Sequence, residues 1–119
     1  MTAPNLLAST IVNGKLAVQS VTTTATAIVT NSSSSNQLYK VNILTVSNID
    51  SANIGTITVD VFRSGVPYRI CSNVSIPTNA SFTPIDKSAV YYLEEGDTLR
   101  LTANAASTLE ATCSYEVIS

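Results

Sequence analysis

Apolar and polar residues alternate with a period of two along most of this chain. Ile57, Val59 and Val61 share one parity while Thr56, Thr58 and Asp60 share the other, the pattern of a strand with one covered face. Residues 98–103 repeat it, as do Leu109, Ala111, Cys113, Tyr115 and Val117 in the last segment. Leu16 and Val18 fall on one parity within residues 15–21. Residues 22–30 are rich in Thr and close on Ala27-Ile28-Val29, and β-branched side chains fit a pleated surface. Tyr68, Ile70, Val74 and Ile76 share a parity until Pro77, which has no N–H for a ladder, ends the run. Residues 80–85 form a short extended piece that Pro84 assigns to an edge.

Between these runs lie turn signals. Residues 31–36, Asn-Ser-Ser-Ser-Ser-Asn, read as an exposed loop, and 50–55 and 105–107 as turns. Ser64-Gly65 reads as a hairpin tip, because glycine tolerates the positive φ such tips need. About seven to nine short strands without a helix predict an all-β fold, an antiparallel β-sandwich of jelly-roll-like form.

Residues 38–48 depart from simple alternation. Tyr39, Val41, Ile43 and Thr45 take one parity, and Leu44 and Val46 take the other. Apolar residues on both parities predict a strand covered on both sides, by the second sheet and by another subunit. A homo-oligomer follows, a trimer by preference, with Leu38, Leu44 and Val46 near the contact.

The first thirteen residues carry Leu6, Leu7, Ile11 and Val12 ahead of the regular alternation. Residues 1–13 read as either an arm laid against a partner or a first strand, and 14–119 as one sandwich domain. With no basic flank and no long apolar run, the start of the chain is not expected to be a signal peptide. No stretch is long and apolar enough to span a bilayer, so a soluble protein made in the cytoplasm, with no membrane partner, is expected.

Composition narrows the chemistry. The net charge is −2, from six Lys and Arg against eight Asp and Glu, and the positive charges are scattered. Nothing would neutralise a row of phosphates, so no nucleic-acid partner is expected. Histidine is absent, which removes the usual neutral-pH base and the commonest nitrogen ligand for metals. The many serines have no evident base to accept a proton, so no catalytic residue and no cofactor is expected. Cys71 and Cys113 match no zinc spacing and are expected to be reduced and buried.

Three groupings remain open. Glu94, Glu95 and Asp97, with Glu110, read as a calcium site or as a solvated turn. In the turn, Gly96 supplies an unusual backbone angle and Asp97 accepts a backbone N–H. Arg63 and Arg69 flank the Ser64-Gly65 tip and are placed either to grip a carboxylate on a neighbouring subunit or as cross-strand residues with solvated ends. The five tyrosines suit sugar binding, a core or an interface equally.

Several pieces together resemble the small virion proteins encoded by tailed bacteriophages. They are Val29-Thr30-Asn31, the apolar run from Ile43 to Asn48, Ile57-Thr58-Val59-Asp60-Val61-Phe62-Arg63, the stretch Leu93-Glu94-Glu95-Gly96-Asp97-Thr98-Leu99 continuing to Ala103, and the closing Tyr115-Glu116-Val117-Ile118. The resemblance implies a non-enzymatic structural protein in a symmetric assembly on the particle. Its first implied role is capsid decoration, or cement, with the major capsid protein or another virion protein as partner. A neck, tail, baseplate or fibre component is the alternative within the virion, and a receptor- or carbohydrate-binding module the alternative outside that class.

Overall fold

The computed structural model describes residues 6–8 and 10–119. Nine strands follow one another: β1 (Val12–Ser20), β2 (Thr26–Thr30), β3 (Leu38–Asn48), β4 (Gly55–Arg63), β5 (Val66–Ile76), β6 (Ser81–Ile85), β7 (Tyr91–Leu93), β8 (Thr98–Ala103) and β9 (Leu109–Ile118). They form two antiparallel sheets, ordered β1-β9-β3-β6 with β7 also on β3, and β2-β8-β4-β5.

This wiring is one long hairpin rolled up. Its tip is Ser64-Gly65, where both residues have positive φ (52° and 78°), the two-residue turn whose twist matches the flanking strands. Moving away from the tip, β4 pairs with β5, β3 with β6 and β7, β2 with β8, and β1 with β9. Rolling the ribbon then adds β3 to β9 and β4 to β8. A jelly roll results, the β-sandwich that the alternation predicts.

The core lies between the sheets. Val41, Leu44, Val46, Leu93, Leu109 and Cys113 reach it from one side, and Ile57, Val59, Leu99 and Leu101 from the other, all fully buried. Gly55 lets β4 approach closely there: a Cβ on it would stand 2.8 Å from Leu109 Cδ2.

The two parities of β3 have a local cause. Its register against β9 runs Val41 to Tyr115, then Ile43 to Ser114 and Leu44 to Cys113, so Asn42 is one extra residue, a β-bulge. The bulge changes the phase, and Val41, Leu44 and Val46 all point into the same core. The expectation of a doubly covered strand is therefore corrected: Leu44 and Val46 are not contact residues, because both are 0% exposed within the subunit itself. The ground for placing a trimer contact on them goes with it.

Bulges also reorder β5. Val74 opposes Ile57 and Cys71 opposes Val59, so Cys71 rather than Ile70 takes the next inward place. Cys71 is half-buried rather than buried, Cys113 is buried, and both thiols are free.

Candidate interaction surfaces

The motif pieces singled out in the sequence converge in space. Asn31 is 0% exposed, and its amide donates to the carbonyls of Gln37 (3.0 Å) and Leu93 (2.9 Å). Its backbone N–H donates to Asp97 O, and its own carbonyl accepts from Gly96 N. Gly96 has the positive φ, 89°, that this turn requires. Asp97, 2% exposed, accepts the Glu94 N–H at 2.8 Å and holds the Arg63 guanidinium through both carboxylate oxygens. Asn48 plays the corresponding part elsewhere, donating to the carbonyls of Asn53 and Ile76 and accepting the Asp50 N–H. Each buried amide supplies backbone groups that the strands leave unpaired, and its bonds to Leu93 O and Ile76 O are fully buried.

Three of these sites sharpen the sequence reading. The loop at 31–36 is exposed at residues 32–34, but Asn31 is its buried anchor. Arg63 grips carboxylates of its own chain, Asp97 and Glu94, rather than a neighbour's. These carboxylates, with desolvation opposing them, hold its guanidinium further above its ordinary range. The acidic grouping is dispersed: Glu95 accepts the Asn36 N–H, Glu94 and Asp97 face Arg63, and Glu110 stands on β9. Among the described residues, no three His, Cys, Asp or Glu side chains are grouped to hold a metal.

Two surfaces among the described residues suit a partner. One is the outer face of the first sheet. Registers on both sides of β9 set Val12, Ile118 and Leu38 in one row, where Ile118 is already buried, and Leu16, Ser114 and Ile43 in another. Leu16 is 66% and Val18 71% exposed, and Val12 stands out beside them. The Lys40–Glu116 ion pair lies between the two rows.

The other is an open groove of about 400 Å³ beside the hairpin tip. Tyr68 and Arg69 of β5, Tyr91 and Tyr92 of β7, and Arg63 line it. Arg63 and Arg100 are held by Asp97 and Asp60, and Arg100 also lies 4.0 Å over the Phe62 ring. Arg69 has no ion pair among the described residues.

The residues predicted for contact thus divide. Val12 and Leu38 share one outer row, and Leu16, Val18 and Ile43, which the sequence reading did not select, extend the surface. Ile11 is half exposed and exchanges backbone hydrogen bonds with Ser119. Leu6 and Leu7 lie in a turn ahead of β1, with Leu7 the more exposed. Val12 and Asn13 are the first residues of β1; residues 1–5 and 9 lie outside the described residues. Arg63 and Arg69 line the groove on the far side. The signal for Leu16 and Val18 was present in the alternation, but a strand pattern does not say which face is covered.

The class the fold defines is a jelly-roll β-sandwich. No known protein family matches the chain, and no curated protein does either. A solved structure described as "Bacillus endospore appendages form a novel family of disulfide-linked pili" is similar over 98% of this chain and 95% of its own, with a TM-score of 0.55 and 14% sequence identity. At that identity the likeness concerns the fold.

Proposed function

We propose that this chain is a non-enzymatic structural subunit of a multi-copy assembly, and that the assembly is a virion on which it acts as a capsid decoration protein. One observation carries the assembly part: β1 presents Leu16 and Val18 two-thirds exposed on a regular sheet face, where an isolated domain would place polar residues. The resemblance of its motif pieces to virion proteins supports the particle, with the major capsid protein as partner. The absence of histidine and the use of Arg63, Arg100, Asp60 and Asp97 in internal ion pairs support a role without catalysis.

Quantitative mass spectrometry of purified particles tests this reading. Hundreds of copies per particle are expected for decoration, and a dozen or so for a neck, tail or baseplate part. Absence from particles would overturn the virion reading altogether. The binding-module reading has the Tyr68, Tyr91, Tyr92 and Arg69 groove in its favour, since exposed aromatic faces beside a guanidinium suit an acidic sugar. Glycan-array binding abolished by Arg69→Ala would favour it over decoration.

A further inference from the structure

The five strands at the sheet edges are not equally protected. β2 has only five residues and a register break between Ala27 and Val29. β5 carries Pro67 and two register breaks against β4, with Asn73 in the left-handed region at φ 50°. On the far side of β3, β6 has five residues including Pro84, and β7 has three. Short strands, prolines and bulges all prevent another strand from adding to an edge. β1 has none of them. It runs nine residues in unbroken register with β9, from Val12 opposite Ile118 to Ser20 opposite Glu110.

The open side of β1 follows from its ladder. Ile11 and Ser119 exchange both backbone bonds, and Val21 donates to Leu109 O, so the odd-numbered residues face β9. Val12, Gly14, Leu16, Val18 and Ser20 therefore turn their N–H and C=O groups to the edge, where no described strand pairs with them.

We infer that β1 pairs with β1 of a second copy of this chain, antiparallel about a two-fold axis through Leu16. This rests on the assembly reading above and names the partner at that surface. A two-fold contact uses one patch twice, so the patch must complement itself. Centred on Leu16, all nine residues pair. Val18 meets Gly14 of the copy, where nothing lies within 4 Å of a Cβ position, and Val12 meets Ser20. Val18 and Val12 thus face small residues, and Leu16 meets Leu16 of the copy at the axis as an apolar pair. On the inward face Lys15 meets Ala17, and Asn13 meets Gln19. Moving the axis to residue 15 sets Lys15 against Lys15, like charges directly opposite, which destabilises a strand pair. Moving it to residue 17 leaves Val12 and Asn13 outside the pairing and shortens the ladder. Charge and ladder length therefore select one register.

Sedimentation equilibrium of the intact chain tests the pairing, with a mass twice 12.5 kDa expected at submillimolar concentration. Val18→Lys adds a charge to an exposed edge position and is expected to abolish the dimer. Leu16→Pro removes an outward N–H that β9 does not use and is expected to do the same. Val66→Lys, on the exposed strand end beside the hairpin tip, is expected to leave the mass unchanged. The register is read in a Cys71→Ser background: Lys15→Cys mixed with Ala17→Cys is expected to give a mixed disulfide, and neither alone a homodisulfide. A strict monomer, or a dimer indifferent to both β1 substitutions, overturns the inference while leaving the assembly reading to the particle measurement. A Lys15→Cys homodisulfide overturns the register. A β1-dependent dimer from a protein absent from particles upholds the inference and overturns the virion reading.

Discussion

Asp97 shows how a residue with an ordinary turn signature becomes a node. It joins the β7–β8 turn to the end of β4 by accepting the Glu94 N–H and both Arg63 donors. Asp97→Ala removes the acceptor from all three, and because Arg63 is half exposed its loss is partly relieved by water. A cost of about 2–3 kcal/mol is expected, read as a lower urea midpoint at unchanged slope. Gly55→Ala acts by crowding: the new Cβ meets Leu109 and Thr108, and about 1–3 kcal/mol is expected in the same assay. Cys113 gives the stability a pH dependence. Burial pushes its thiol up to about 12 from an ordinary 9.0, so the folded protein keeps a proton that the unfolded chain releases. Stability is full below about pH 9 and falls as pH rises towards 12. Burial moves Cys71 and Tyr115 in the same direction, so Cys113→Ala is expected to reduce the alkaline slope of the urea midpoint rather than remove it. An unchanged slope would show that this thiol does not carry the effect.

At the scale of the strand, legibility depends on whether a pattern is local. The β4–β5 hairpin was readable because Gly65 and clean alternation sit in one short stretch. β3 was misread for the opposite reason. A bulge is defined by the partner strand, and nothing in residues 38–48 says that Asn42 has no counterpart on β9. Deleting Asn42 is expected to remove the bulge: Val41 and Leu44 then stand two apart and both stay inward, in the register that β9 already offers. The variant is expected to stay soluble with its native circular dichroism; loss of both would mean that the sandwich needs the local twist the bulge adds. The buried amides were equally hidden. Asn31 finds Leu93, 62 residues away, and Asn48 finds Ile76, 28 residues away.

For the whole molecule, the rolled hairpin brings its two ends together last in sequence terms: β1 lies against β9 and β2 against β8. Only the pairing next to the tip is local. Closing such distant pairs costs chain entropy before contacts compensate, so refolding on the order of milliseconds to seconds is expected, followed by stopped-flow tyrosine fluorescence. Microsecond refolding would contradict this dependence on long-range pairing. Gly65→Val, which strains the tip with a β-branched residue at positive φ, is expected to slow refolding if the hairpin nucleates the roll.

The sequence by itself determined the fold class, the hairpin tip and the absence of histidine. Each follows from local alternation, from glycine at a positive φ, or from composition. Only the tertiary structure decided which face of each strand is covered. It spent Leu44, Val46 and Arg63 inside the subunit and left Leu16 and Val18 outside, on an edge without a bulge. The physical reason is that a period of two separates two faces without naming them. The face is chosen when the strands pair, and one bulge in a partner reverses the choice.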